Sequence, residues 1–136
     1  MKRISENFTE QEFACKCKAK GLYDQDRLSY CGGLSIYHPE LVSKLQELRD
    51  RVEVPITITS GYRCPAYNRR IPPQGVGGAQ NSQHMYGRAA DIIVKDHTPE
   101  KVAELAKEVG FTFIGIYKTF THVDVRDGKQ QVVDYR

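Results

Sequence analysis

The sequence predicts an α+β domain in which a small, mostly antiparallel sheet is flanked by helices. Two observations predict this class: long segments carry apolar residues at helical spacing, and several short segments alternate or run apolar like strands. The predicted order is helix, strand, loop, strand, helix, strand and strand. The chain has 136 residues, of which 40% are hydrophobic. We therefore expect a single domain over 1–136, large enough to bury its own core.

Residues 1–37 have the least regular pattern of the chain, and they hold three of the four cysteines. Thr9 and Glu12 have the spacing of a capping box, which predicts a short helix that ends near the first cysteines. Residues 15–37 are rich in Lys, Gly, Asp and Tyr and show no period. We expect an irregular segment there.

Two longer helices are predicted. The first covers 38–54, with Pro39 near its start and a row of apolar residues on one face, namely Leu41, Val42, Leu45, Leu48 and Val52. The second begins at Thr98, a capping residue followed by Pro and Glu, and it ends at Gly110. Its apolar face is formed by Val102, Leu105, Ala106 and Val109.

The remaining elements are short. Four or more strands are predicted, at 56–59, 89–94, 111–117 and 121–126, with a further edge strand through Val132 and Val133. Between the first two strands, 65–70 could form one short helix. Residues 71–83 contain two Pro and three Gly, so we expect a loop.

The charge and hydropathy of the chain exclude several classes. A formal net charge of +3 without a concentrated basic stripe excludes a typical nucleic-acid partner. No apolar run reaches the roughly 18 residues of a membrane span. Lys2 and Arg3 are not followed by an apolar stretch, so no signal peptide is expected. The sequence predicts cytoplasmic synthesis of a monomer.

The cysteines leave three alternatives open. They could be free or buried thiols, ligands of a structural zinc ion, or partners in disulfides, which a reducing cytosol disfavours. The first two are separated by a single residue, which matches neither a redox C-x-x-C motif nor a usual zinc finger. The four positions are Cys15, Cys17, Cys31 and Cys64.

Two segments, 82–91 and 122–126, carry the side chains that could bind a metal. On one straight helix His84 and Asp91 would lie about 10 Å apart along the axis, too far to share an ion with ligand distances of about 2 Å. Gly87 lies between them and can take the bent backbone of a chain reversal. If His84 lies on a loop and Asp91 begins a strand, both side chains can reach one ion.

The second segment alternates like a strand. Val123 and Val125 would face the core, while His122, Asp124 and Arg126 share the opposite face, which we expect to line a cleft or contact water. Two His and one carboxylate with an open fourth position are typical of catalytic zinc. Each residue alone also has an ordinary explanation, as a solvated loop histidine or an exposed strand face. The spacing does not by itself bring the two segments together.

The combined pattern closely resembles the M15 family of zinc peptidases, over roughly residues 38–126. The first segment carries Ser82, His84, Gly87, Ala89 and Asp91 at the family's spacing, and His122-x-Asp124 follows. Residues 60–63 also resemble the family's segment ahead of this motif. The family includes D-alanyl-D-alanine carboxypeptidases and phage endolysins and shares its fold with the hedgehog signalling domain. The resemblance implies that His84, Asp91 and His122 bind zinc and that Arg63 is an active-site arginine.

The other site residues follow from that resemblance and from side-chain chemistry. Arg63 could bind a substrate carboxylate or stabilise an oxyanion. Ser82 could bind the substrate or hold the His84 loop. The family's usual general bases are absent, because Thr119 and Phe120 occupy their positions. Asp124 is the candidate base, with a role in orienting His122 as the alternative.

The resemblance implies a zinc-dependent peptidase acting on the peptide stems of peptidoglycan. It leaves open a D-Ala-D-Ala carboxypeptidase or an L-Ala-D-Glu-type endopeptidase. The alternative is an inactive module that retains zinc and binds cell-wall peptides or a protein partner. Without a signal peptide, such an enzyme would reach the wall after lysis or through release by a phage.

Overall fold

A computed structural model describes residues 2–17, 21–25, 27–70 and 82–136. It contains three α-helices, α1 (Pro39–Val52), α2 (Pro65–Arg70) and α3 (Pro99–Val109), and five strands, β1 (Ile56–Ser60), β2 (Ala89–Val94), β3 (Phe113–Ile116), β4 (Thr121–Asp124) and β5 (Gln131–Asp134). Two short 3₁₀ helices cover Glu10–Phe13 and Gln83–Tyr86. No helix in the part of the chain described is both long and apolar enough to cross a membrane.

The five strands form one sheet in the order β1-β2-β4-β3-β5. The first three neighbouring pairs are antiparallel, and only the β3–β5 pair is parallel. The predicted α+β class with a mostly antiparallel sheet is therefore confirmed. The central strands β2 and β4 carry the two segments that the sequence singled out, so the sheet itself brings them side by side.

The core lies between one face of the sheet and the helices α1 and α3. Both helices begin as predicted, with Pro in the first turn, and the Thr98 hydroxyl accepts a hydrogen bond from the Lys101 N–H. The apolar face of α3 packs on β2, β3 and β4 and against α1, and buried residues of all these elements form one apolar cluster. The fully buried members include Leu41, Leu45, Leu48, Ile92, Val102, Ala106, Ile114 and Val123. This packing fixes which face of β2 and β4 is left for the polar side chains.

Several element bounds differ from the predictions. Helix α1 ends two residues earlier than 54, because Glu53 takes a left-handed conformation with φ of 56°. Strands β3 and β4 are shorter than 111–117 and 121–126. The predicted loop 71–83 lies mostly outside the described residues, and its last residue, Gln83, begins a 3₁₀ helix instead.

The described part of the N-terminal segment is held against the end of β1. It contains no helix or strand beyond Glu10–Phe13, whose start is stabilised by the Glu12 carboxylate accepting from the Thr9 N–H at 2.8 Å. The Tyr62 N–H donates to the Phe13 carbonyl at 2.9 Å. A Cβ on Gly61 would lie 2.7 Å from the Phe13 Cα, so only glycine permits this approach.

Candidate metal centre

Asp91 and His122 are direct neighbours across two strands. In the antiparallel β2–β4 pair, Asp91 lies opposite His122 and Ala89 lies opposite Asp124. Alternation along each strand points these polar side chains away from the helices, while Ala90 and Val123 face the core. Opposite His122 on the other side, β3 has Gly115, where an added Cβ would lie 3.4 Å from the His122 Cβ. The sheet register therefore places a carboxylate and an imidazole side by side.

His84 reaches the same point from the 3₁₀ helix before β2. The Ser82 hydroxyl caps this helix by accepting from the His84 N–H at 3.2 Å. Gly87 ends it in the left-handed conformation, with φ of 68°, as the sequence predicts. A Cβ there would lie 2.8 Å from Ile36, so the bend requires glycine both for its dihedral angle and for space. The bend lets Asp91 begin a strand while His84 turns back toward it.

Three side-chain atoms converge on one point. The Asp91 Oδ1 lies 3.2 Å from the His84 Nε2 and 3.0 Å from the His122 Nδ1. The three residues form a group whose ligand atoms all lie within 4.8 Å of one another. Two imidazole nitrogens and one carboxylate oxygen are the ligand set of catalytic zinc. The residues present therefore fit a divalent zinc ion.

The second nitrogen of each imidazole has its own partner. The His84 Nδ1 lies 2.7 Å from the Gly61 carbonyl, which can only accept, so this nitrogen carries the proton and Nε2 keeps its lone pair for a metal. The His122 Nε2 lies 2.8 Å from the Asp124 Oδ2, which leaves Nδ1 as its ligand atom. Such partners fix the tautomer and the ring orientation of metal-binding histidines.

Arg63 holds the other oxygen of Asp91. Its NH2 donates to the Asp91 Oδ2 at 3.0 Å, its Nε to the Ser60 hydroxyl at 3.0 Å, and its NH1 to the Asn68 carbonyl oxygen at 3.3 Å. The Arg63 and Asp91 side chains are only 4% and 8% exposed. Asp91 thus presents one oxygen to the two histidines and the other to a buried guanidinium.

Asp124 is held by a second arginine. Its carboxylate accepts from the Arg126 Nε at 2.9 Å and NH2 at 2.6 Å, in addition to its contact with His122. The guanidinium carbon of Arg126 lies 3.9 Å from the centroid of the Phe113 ring. This arrangement matches the predicted alternation of His122, Asp124 and Arg126. Within the described part of the chain, this strand face is not the expected cleft or water-facing surface, since His122 and Asp124 are 1% and 0% exposed. Their charges are satisfied within the protein instead.

The ionisation states follow from burial and from these contacts. Burial raises the pKa of Asp91, but its interactions with the imidazoles of His84 and His122 outweigh burial, and the pKa ends below its ordinary value. Burial likewise raises the pKa of Asp124, and hydrogen bonds from His122 and Arg126 reverse that shift. Burial lowers the pKa of His84. Both carboxylates are therefore ionised at neutral pH, as metal ligands and their partners must be.

The structure brings together every site residue that the sequence predicted. Arg63, Ser82, His84, Asp91, His122 and Asp124 all lie in this one buried group. Sequence reasoning missed the partners Ser60, Gly61 and Asn68. The missed carbonyl of Gly61 belongs to the backbone and leaves no residue-type signal. Arg126 was placed on the correct face by its alternation with Asp124, but its ion pair was not predicted.

In this α+β domain, two neighbouring strands and a capped turn bring two His and one Asp together. This ligand set defines the class of proteins that can bind zinc with an open coordination position. The particular family is given by comparison: the sequence profile named Peptidase M15 matches residues 6–125. The chain belongs to the peptidase M15 family, and the resemblance drawn from its motifs is confirmed.

One curated protein is similar in sequence to this chain. The chain is 38% identical over 92 residues to the zinc D-Ala-D-Ala carboxypeptidase of Streptomyces albus G. The aligned region covers 63% of this chain and 34% of the relative. The chain therefore spans about a third of the length of the curated protein it matches.

Proposed function

We propose that this chain is a zinc-dependent peptidase that hydrolyses amide bonds in the peptide stems of peptidoglycan. The observation that carries the proposal is the convergence of His84, Asp91 and His122, with each remaining polar atom of these side chains already bound to a partner. Membership of the M15 family and similarity to a protein named as a zinc D-Ala-D-Ala carboxypeptidase support the substrate class.

His84, Asp91 and His122 would hold the zinc ion. When bound, zinc polarises a substrate carbonyl and lowers the pKa of a coordinated water toward neutrality. The protein contributes a rigid, water-poor surrounding for these ligands, since their exposed fractions are 0%, 6% and 1%. In such a site the charges of Asp91 and the nearby arginines act at low effective dielectric and need little reorganisation during reaction.

Arg63 would serve in two ways. Its contact with the Asp91 Oδ2 fixes the carboxylate so that Oδ1 faces the histidines. A guanidinium has five N–H groups, and the contacts with Ser60, Asn68 and Asp91 use three of them. No contact among the described residues uses the other two, which supports a role for Arg63 in donating to a substrate carboxylate or to a developing oxyanion. Ser82 supports His84 through its backbone contact.

Asp124 is proposed to position His122 and not to act as the general base. Its two oxygens are occupied by the His122 ring and by the Arg126 guanidinium and backbone N–H. We expect Asp124→Asn to weaken zinc binding about 10–100-fold, because loss of such an outer partner typically costs that much affinity. Competition of the purified protein against a chromophoric zinc chelator measures this change. At saturating zinc, most of the peptidase activity should return.

The matched control is Asp127→Asn, which makes the same substitution three positions later on a side chain that is 98% exposed. It should leave zinc affinity unchanged. If Asp124→Asn keeps the wild-type zinc affinity and yet loses activity at saturating zinc, Asp124 is the base and the positioning role is wrong.

The proposed activity is tested on purified peptidoglycan. The zinc-loaded protein should release new amino groups, and removal of zinc with a chelator should abolish that release until zinc is restored. Free D-alanine among the products identifies a carboxypeptidase, whereas new stem termini without free D-alanine identify an endopeptidase. Absence of any new amino group between pH 6 and 9, with zinc bound, would rule out the peptidase.

A second candidate function is a zinc-retaining module that binds wall peptides or a protein partner without cleaving. It is favoured by the residues ahead of His122: Thr119 and Phe120 offer no group that takes a proton near neutral pH, and the Phe120 ring stacks on Tyr117 at 4.4 Å. Cosedimentation with peptidoglycan without release of amino groups would support this candidate over the peptidase.

A further inference from the structure

A second group of metal-binding side chains lies outside the site described above. Cys15 and Cys17 follow the first 3₁₀ helix, Cys31 lies in the irregular N-terminal segment, and Cys64 immediately precedes α2. Although Cys31 and Cys64 are 33 positions apart in the sequence, the four sulfur atoms all lie within 4.8 Å of one another. Three of the four side chains are buried, and none is in a disulfide.

The distance between two sulfur atoms distinguishes a disulfide from a zinc site, two of the alternatives that the sequence left open. A disulfide requires an S–S distance of about 2.05 Å. In a tetrahedral zinc site with Zn–S bonds of about 2.3 Å, neighbouring sulfur atoms lie about 3.8 Å apart. The Sγ atoms of Cys17 and Cys31 are 3.7 Å apart. This distance agrees with an edge of such a tetrahedron and excludes a bond between the two sulfur atoms.

The backbone around these sulfur atoms also suits thiolates. The Gly32 N–H donates to the Cys17 Sγ at 3.1 Å, and the Cys64 N–H donates to the Cys15 Sγ at 3.4 Å. Hydrogen bonds to the charged form of a group favour that form. The thiolate is the form of cysteine that binds metals. Burial raises the pKa of Cys15 and of Cys31. A bound soft divalent cation would therefore be needed to stabilise four thiolates together in this buried place.

We propose that Cys15, Cys17, Cys31 and Cys64 form a structural zinc site, separate from the His84–Asp91–His122 group. Four protein ligands close the coordination shell, which is typical of structural and not catalytic zinc. The ion would link three separate parts of the chain, which also meet through apolar side chains that include Tyr62, Ala66 and Tyr30.

The position of this site gives it a role beyond local stability. Cys64 follows Arg63 directly, and the Gly61 carbonyl that orients His84 lies three residues earlier. On the same segment the Arg63 N–H donates to the His84 carbonyl at 3.1 Å. The cysteine site would therefore fix the segment that supports the catalytic group. This consequence rests on the proposed function, whereas the metal site itself does not.

The test is the zinc content of the full chain, purified with a thiol reductant, dialysed against zinc and measured by mass spectrometry. We expect two zinc ions per chain in the wild type, one in Cys31→Ser and one in Asp91→Asn. Cobalt(II) in place of zinc should give the intense sulfur-to-cobalt charge-transfer absorption of a tetrathiolate site in the wild type and in Asp91→Asn. Cys31→Ser should lose or strongly weaken that absorption.

Each other outcome has a definite meaning. A wild type with one zinc that Asp91→Asn removes, and without a cobalt–thiolate absorption, overturns the cysteine site and leaves the proposed function standing. One zinc that only Cys31→Ser removes supports the cysteine site and contradicts the catalytic centre. If Cys31→Ser does not fold, titration of wild-type thiols with an organic mercurial should release one zinc per four thiols, and no release overturns the proposal.

Discussion

Asp91→Asn is expected to abolish zinc binding at the catalytic group and, with it, peptidase activity. The substitution keeps the shape of the side chain but removes the charge that both histidines contact at 3.0–3.2 Å. Zinc affinity at this group should fall by more than about 100-fold, the upper end of the cost of losing an outer partner alone. Isothermal titration of the metal-free protein with zinc measures the loss, and amine release from peptidoglycan should fall to the level of the chelated wild type.

Asp96→Asn is the control for this variant. Asp96 lies on the exposed turn after β2, five residues from Asp91, and its φ of 61° is one that asparagine also adopts. It should bind zinc and release amines like the wild type. Wild-type zinc affinity at the catalytic group in Asp91→Asn would show that Asp91 is not a ligand and would contradict the proposed centre.

Arg63→Met should cost the metal-free protein about 3–5 kcal/mol of unfolding free energy, because removal of one partner leaves a buried charge uncompensated. The Arg63 NH2 and Asp91 Oδ2 are 3.0 Å apart, and both side chains are at least nine-tenths buried. A loss of this size is a large part of the stability of an ordinary domain. Saturating zinc should reduce the loss, since a bound cation compensates the same carboxylate and stabilises the folded state by mass action.

The comparison variant is Arg51→Met, which removes an arginine paired with Glu47 at 3.2 Å on the exposed face of α1. Here the side chains are 41% and 50% exposed, and the expected loss is at most about 1 kcal/mol. Urea unfolding of the wild type and both variants, with and without zinc, gives the free energies of unfolding from which the losses are calculated. Equal losses of unfolding free energy for the two variants would show that Arg63 does not compensate the buried charge of Asp91.

The sequence predicted the secondary structure well where a regular apolar pattern extends over many residues. Helices α1 and α3 begin at Pro39 and Pro99, one residue after the predicted starts at 38 and Thr98, and β2 covers the predicted 89–94. The short 3₁₀ helix Gln83–Tyr86 was not predicted, because a single turn stabilised by the Ser82 cap and the left-handed Gly87 leaves no apolar period. Strand ends were also inexact, since they depend on pairing with neighbours that one segment does not reveal.

The residues of the candidate site could be predicted from the sequence, but the groups that hydrogen-bond to them could not. His84, Asp91 and His122 were identified by motif spacing, and Gly87 by the need for a chain reversal. The roles open for Asp124 could not be separated without its distances to His122 and Arg126. That the four cysteines gather at one point depends on long-range packing of the N-terminal segment against the end of β1, which has no signature in their spacing.

The pairing of Asp91 with His122 across β2 and β4 has a consequence for folding. Side chains alternate between the two sides of a sheet, so a slip of one residue between these strands would send the imidazole into the hydrocarbon interior and a valine into the polar pocket. A chain with misaligned strands would then lack the complete set of metal ligands. A zinc ion at this centre would therefore stabilise only the chain in which β2 and β4 pair in the correct register.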